Sequence, residues 1–158
     1  MMPVYQGLEL TIAIAAQSIS NATVNGATLS EPWTRGSQLA IVYLGGAFSA
    51  SASGRLRLQG LARSDGTTWS NLKEHDGTTD LEFTAAKLDD AGAGEGAALI
   101  GTLDLSRVDS ETYKAVRVTF QAEHASATQL VAVGYLLTDL YARPSAQTDE
   151  LWSKARAA

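Results

Sequence analysis

The tetrapeptide Asp-Gly-Thr-Thr occurs twice, at residues 65–68 and 76–79, and its carboxylate and hydroxyl groups are ligands that calcium accepts. A calcium loop of the EF-hand type needs oxygen ligands at alternate positions and a closing glutamate, and Trp69 interrupts that series. Asp-Gly is itself a turn signal, because aspartate tolerates the left-handed region and caps its own turn. The spacing predicts two turns, with Trp69 at the start of a strand and its side chain covering the open end of the core.

Acid/base chemistry would need titratable side chains that converge on one point. Glu74, His75 and Asp76 are consecutive, and neighbours along a strand point to opposite faces, so they are not expected to converge. His124 is the other histidine and stands alone in a polar segment. We therefore interpret both histidines as surface residues at strand ends.

Other catalytic patterns are equally weak. The serines of residues 49–53 lack the G-x-S-x-G elbow of a hydrolase, and the glycines of residues 92–96 lack the dinucleotide-binding spacing. Asp89-Asp90 and Asp104 could in principle form a glycosidase pair, but acidic residues at strand ends are normally solvated. The sequence thus predicts no enzyme, with no catalytic residue, no cofactor and no metal site.

Net charge and residue composition indicate which kinds of binding partner are expected. The net charge is −5 and lysine and arginine form no run, which argues against direct nucleic-acid binding because phosphates require a basic face. The chain has no cysteine, which removes disulfides, thiol nucleophiles and cysteine-based zinc sites. Only 18% of its residues are charged, so part of its exterior is expected to be covered by a partner. The N-terminus lacks a basic region, and the apolar run Leu10 to Ala16 is too short to span a bilayer. We expect no membrane association, no signal peptide and synthesis in the cytoplasm.

Apolar residues recur with the two-residue period of strands that have one buried face. The period predicts inward-facing positions in three segments: Leu56 and Leu58; Val116, Val118 and Phe120; and Val131, Val133, Tyr135 and Leu137. It also places Ile12 and Ile14 on one face, and Asn25-Gly26 predicts an early hairpin. About eight strands with frequent turn signals predict an all-β, antiparallel sandwich or barrel.

The ends of the chain differ from this pattern. We assign residues 1–144 to a single sandwich domain with an N-terminal arm of about residues 1–9, and residues 145–158 to a tail after Pro144. The tail is expected to be a short helix or extended, and such a helix is marginal unless it packs on something. Leu151 and Trp152 are its only large apolar residues, and they pack either on their own sandwich or on a neighbouring subunit.

Several segments resemble a known family. The order AAQSISNATVNGATL, GRLRLQG, SDGTTWSNL and YKAVRVTFQAEHASATQLVAVGYLLTDLYARP is similar to the jelly-roll cement, or decoration, proteins on podophage capsids. The resemblance implies a two-sheet jelly roll, assembly as dimers or trimers, binding to the major capsid protein and no enzymatic activity. It also implies a place on the capsid exterior of a tailed-phage virion, although a head-tail connector or tail component would look alike.

Candidate anchors for such an interface are Trp33, beside Pro32, together with Leu151 and Trp152 in the tail. The alternative for each is packing within its own chain. A different function, a carbohydrate-binding module, would need exposed coplanar aromatics on one sheet face, whereas Trp33, Trp69 and Trp152 are far apart in the sequence.

Overall fold

The structure is a computed structural model that describes residues 8–45, 54–83, 97–122 and 129–141. Within these ranges the chain forms ten β-strands and two single 3₁₀ turns, Pro32–Thr34 and Leu105–Arg107. The strands are β1 (Glu9–Ile19), β2 (Thr23–Asn25), β3 (Leu29–Ser30), β4 (Gly36–Gly45), β5 (Gly54–Ala62), β6 (Trp69–Asn71), β7 (Glu82–Phe83), β8 (Ala97–Asp104), β9 (Tyr113–Ala122) and β10 (Gln129–Leu140). Most of the expected N-terminal arm, residues 1–7, lies outside the described residues.

Two antiparallel sheets form a sandwich. One sheet has the order β1-β10-β4-β8, and the other has β9 and β5 at its centre. The short strands β2 and β3 both pair with the free side of β9, and β6 and β7 both pair with the free side of β5. Counting each short pair as one interrupted strand gives eight strands in two Greek keys, which is the jelly-roll topology. The predicted all-β jelly-roll sandwich is confirmed.

The core lies between the sheets and consists of the residues that alternation predicted. Leu56 and Leu58 of β5 are buried, and so are the inward-facing residues of β9 and β10. Tyr43 of β4 and Phe120 of β9 stack across the core with their ring centroids 6.0 Å apart. Because each aromatic residue buries a large apolar area, this pair contributes much of the contact between the two sheets.

Strand β1 departs from the predicted alternation. Ile12 is 68% exposed whereas Ile14 is 2% exposed, although both were placed on one face. The pairing with β10 shifts register between these two residues, so one extra residue is inserted and the following side chains change face. The prediction that Ile12 and Ile14 share a face is wrong, because a β-bulge separates them.

The hairpin predicted at Asn25-Gly26 is also wrong. β2 and β3 continue along the same partner, with Asn25 opposite Thr119 and Leu29 opposite Val116, and one extra residue lies between them. Glycine is required at position 26 because the surrounding atoms leave no room for a side chain, and not because a turn needs it. A Cβ there would lie 2.9 Å from Val118 Cγ2 and 3.1 Å from the Tyr135 hydroxyl oxygen.

The Tyr135 hydroxyl group supplies hydrogen bonds where the backbone pairing with β9 is interrupted between β2 and β3. This hydroxyl group reaches across from the opposite sheet, accepts a hydrogen bond from the Val118 backbone N–H at 2.6 Å and donates one to the Ala27 carbonyl at 3.0 Å. Burial raises the pKa of this phenol above its ordinary value. The neutral hydroxyl therefore pairs two backbone groups that the interrupted strand leaves without a ladder partner.

The two Asp-Gly-Thr-Thr segments form turns of the same design, as predicted. Asp65 accepts hydrogen bonds from the backbone N–H groups of Thr67 and Thr68 at 2.9 and 3.0 Å, and from the Thr68 hydroxyl. Asp76 does the same with Thr78 and Thr79. Gly66 and Gly77 take φ angles of 68° and 71°, the left-handed region that glycine enters without strain. Both carboxylates are therefore engaged within their own turns.

A third turn of this kind was not predicted. Asp109 accepts hydrogen bonds from the backbone N–H of Glu111 and from the Thr112 hydroxyl. The signal was present in the sequence as an aspartate three residues before a threonine. These hydrogen bonds, the Thr112 hydroxyl first, lower the pKa of Asp109.

Several predicted features lie outside the described residues. They are the tail at residues 145–158 with Leu151 and Trp152, the serines of residues 49–53, Asp89-Asp90, the glycines of residues 92–96 and His124.

We predict that Tyr135→Phe lowers the free energy of unfolding by about 1–3 kcal/mol, because it leaves a buried N–H and a buried carbonyl without their partner. Denaturant unfolding followed by tryptophan fluorescence measures this. The matched control is Tyr113→Phe, which removes a hydroxyl group that hydrogen-bonds to no described residue and is expected to change stability by under about 0.5 kcal/mol. Equal effects of the two substitutions would contradict the role given to the Tyr135 hydroxyl.

We predict that Asp65→Asn lowers the melting temperature at neutral pH and that this difference disappears in acid. Hydrogen bonds from Thr68 and Thr67 lower the pKa of Asp65 from 3.8 to about 2, so the folded state favours the ionised carboxylate. That contribution is complete above the unfolded pKa of 3.8 and is lost as the pH falls through about 2. Thermal unfolding of both proteins between pH 6 and pH 2 tests this, and a constant difference would contradict it.

Candidate interaction surface

The outward sides of β1, β10 and β4 share a contiguous apolar surface, which Ser18 of β1 and Thr102 of β8 border. We call it the apolar face and define it by the outward residues Leu10, Ile12, Ala40, Val42, Leu44, Leu130, Ala132, Gly134 and Leu136. Strand register brings them together, since Leu10 lies opposite Leu136, which lies opposite Ala40. Ile12 lies opposite Gly134 in the next row.

This surface collects nearly all of the exposed large hydrophobic side chains in the described part of the chain. Leu10 is 67% exposed, and Leu44 and Leu130 are about half exposed. None of the residues that define the apolar face is charged. At one end the face borders on a polar row in which Gln38 lies between Thr138 and Asp104. An apolar centre with a polar margin is the usual arrangement of a protein interface.

The apolar face contains a notch at Gly134. Its backbone does not take a positive φ. A Cβ built there would meet only Leu10 Cδ1 at 3.6 Å and Thr11 O at 3.9 Å, which are ordinary contacts. Neither backbone conformation nor crowding within the chain thus requires glycine, although glycine weakens a strand interior. The notch lies between Ile12 and Val42 and is open to the exterior.

The outward side of the other sheet is polar, and we call it the polar face. One half is organised by Arg57, whose Nε donates to Glu82 at 2.7 Å and whose Nη1 donates to Gln121 at 3.2 Å. In the other half Arg117 donates to Gln59 at 3.0 Å. Planar polar groups on three strands therefore hold one another in place across this face.

The polar network continues onto β6 and the segment that follows it. Gln59 donates to Asn71 at 3.0 Å, and Asn71 donates to Asp80 at 2.8 Å. Asp80 also accepts from Lys73, and these two hydrogen bonds, the one from Lys73 first, lower the pKa of Asp80. Because Lys73 is exposed and Asp80 is partly exposed, this ion pair is screened by water and adds little stability.

Trp69 lies on the polar face. It begins β6, as predicted, but it does not cover the open end of the core, so that part of the prediction is wrong. The Arg117 guanidinium carbon stands 4.0 Å from the centre of its ring, a cation–π contact. This arrangement depends on strand register, because β6 and β9 both flank β5 and place the two side chains together.

Trp33 is the one predicted anchor within the described residues. It lies in the 3₁₀ turn Pro32–Thr34 and is half-buried against the core of its own chain. Packing within the chain was the alternative given for this residue, and part of its surface remains accessible. Its role as an interface anchor stays a prediction, as do those of Leu151 and Trp152.

A cleft lies at one end of the sandwich and has a volume of about 210 Å³. Its wall includes Lys73, Arg107 and Asp109 above an apolar floor. Asp109 is engaged in its turn and Lys73 pairs with Asp80, so these groups do not form an acid/base pair aimed at the cleft. His75 is exposed in its turn. In the parts of the chain that the structure describes, no three metal-ligating side chains come together.

No described helix is long and apolar enough to cross a membrane.

Comparison with known proteins shows a similarity of fold and nothing more. No family model matches the chain, and no curated protein matches it either. Similar solved structures include the CBM22-1 xylan-binding domain of Xyn10C from Paenibacillus barcinonensis, 11% identical over 87% of this chain and 85% of that one, with a TM-score of 0.42.

Two further similar structures are a second xylan-binding module and a virus. The xylan-binding module CBM15 is 12% identical over 83% of this chain and 97% of its own, with a TM-score of 0.44. The structure of infectious bursal disease virus, Gt strain, is 9% identical over 96% of this chain and 49% of that one, with a TM-score of 0.30. These likenesses, at low identity and low TM-score, indicate no function for this chain.

Proposed function

We propose that the chain is a non-catalytic structural protein of a phage virion, a capsid cement or decoration protein that stabilises the head by bridging subunits of the major capsid protein. The apolar face is the observation that carries this proposal. Soluble monomers rarely expose a contiguous apolar surface of more than a few hundred Å², and larger ones mark sites of association. A protein whose most distinctive surface is apolar and uncharged is suited to work by assembly.

The architecture suits a bridging role. A sandwich with stacked rings in its core and a hydroxyl group tying one sheet to the other transmits load without changing shape. Bridging also gains from multivalency, because two linked weak contacts bind far more tightly than either alone. The net charge of −5 favours a position outside the shell, away from packaged DNA.

Under this proposal the surfaces have separate tasks. The apolar face joins protein to protein within the cement layer, while Trp33 and the tail residues Leu151 and Trp152 contact the major capsid protein. Large aromatic side chains are the usual energetic anchors of interfaces.

A second candidate function is glycan binding on the polar face. It is favoured by the position of Trp69 beside Asn71, Gln59 and Arg117, since sugars bind to an aromatic ring flanked by hydrogen-bonding side chains. Against it, the Arg117 guanidinium occupies one face of the Trp69 ring, and no second aromatic side chain extends the platform on the described strands of this sheet.

We predict saturable co-sedimentation of the purified protein with phage capsids that lack it, at a fixed ratio to capsid subunits. The measurement is the amount pelleted as the protein concentration rises. A capsid already carrying the protein is the control and is expected to bind none. Absence of binding, together with retention of the protein on a glycan array that Trp69→Ala abolishes, would replace the cement proposal by the second candidate.

We predict that deletion of residues 145–158 leaves the sandwich folded and weakens binding to capsids, because the tail supplies Leu151 and Trp152 as anchors. The circular dichroism spectrum should keep its β-type shape while the capsid-bound fraction falls. The double substitution Leu151→Ala with Trp152→Ala in the full chain is the matched control and should weaken binding similarly. Loss of the β-type spectrum would instead show that the tail belongs to the core.

A further inference from the structure

We propose that the apolar face of one chain packs against the apolar face of a second copy, related to it by a two-fold axis. The inference rests on the proposed function, because it names the partner at the surface that carries that function. In such an interface the same patch is used twice, so it must be complementary to itself.

Charge favours a second copy at this face. Each chain carries −5, so two copies brought together through charged surfaces repel each other. The residues that define the apolar face include no charge, and a two-fold contact through them therefore sets no like charges against one another. The acidic Asp104 stands in the polar row at one end, where it remains in water.

The available area is that of a small, weak interface. The apolar face spans three strands spaced about 4.8 Å apart and about seven residues at 3.3 Å each, or roughly 14 Å by 23 Å. Two copies would then bury on the order of 650 Å² in projection, below the range for stable interfaces, so the dimer is a weak one whose population rises with protein concentration. Packing of sheet on sheet at a separation of about 10 Å is also the arrangement already used in the core.

Shape gives the contact a specific register. Leu10 and Ile12 form a raised edge on β1, and Gly134 leaves a notch beside them on β10. In a two-fold pair the raised edge of each copy can enter the notch of the other. This accounts for a glycine that neither the backbone conformation nor the surroundings within one chain require.

The test measures the mass in solution of the full chain and three variants by light scattering over a range of concentrations. Ile12→Glu introduces a charge on the apolar face at a residue that is 68% exposed, so the monomer can tolerate it. Gly134→Val fills the notch while keeping the face apolar. Thr23→Glu adds the same charge at an exposed strand residue of the other sheet and is the matched control.

We expect the wild type and Thr23→Glu to have twice the mass of one chain, and Ile12→Glu and Gly134→Val to be monomers at the same concentration with unchanged circular dichroism spectra. Gly134→Val is the sharper variant, because indiscriminate hydrophobic association would survive it. A monomeric wild type, a trimer, or a dimer that both face variants retain would overturn the proposal.

Failure of this inference is distinguishable from failure of the proposed function. A wild-type dimer that does not bind capsids keeps the two-fold contact and removes the cement role. A wild-type monomer that binds capsids, and loses that binding with Ile12→Glu, overturns the two-fold contact and assigns the apolar face to the capsid protein.

Discussion

Strand β10 is apolar on both of its sides, and this constraint governs the rest of the molecule. Its inward residues Val131, Val133, Tyr135 and Leu137 fill the core, while Leu130, Ala132, Gly134 and Leu136 face outward. It lies between β1 and β4, which contribute the other residues of the apolar face. Folding of one chain covers only the inward set. The outward set remains in water until another molecule covers it, and this is why we place the function in assembly.

The two outer faces of the sandwich have opposite chemistry because each sheet takes its outward residues from different strands. The arginines and amides of β5 and β9 form a network that is satisfied by its own hydrogen bonds. A network of that kind keeps a surface solvated and rigid without needing a partner. The side chains of the apolar face form no hydrogen bonds, so only contact with another apolar surface removes them from water. Under our proposal, this difference directs association to one side of the molecule.

Long-range contacts compensate for local interruptions. The bulge in β1 exposes Ile12 while keeping Ile14 in the core, and the break between β2 and β3 is closed by the Tyr135 hydroxyl from the opposite sheet. The bulge also has a consequence for the surface, since it sets which residues of β1 join the apolar face. The carboxylates of the three aspartate turns, by contrast, accept hydrogen bonds from groups within three residues of themselves.

The sequence by itself determined the all-β class, the inward residues of β5, β9 and β10, and the turns at Asp65 and Asp76. These depend on the two-residue period of a strand or on hydrogen bonds within a few residues, so a short stretch of sequence is enough to predict them. Only the tertiary structure decided the exposure of Ile12, the role of Gly26, the contact of Trp69 with Arg117, and the apolar face. Each of these depends on register between strands far apart in the chain, which a one-residue shift would change completely.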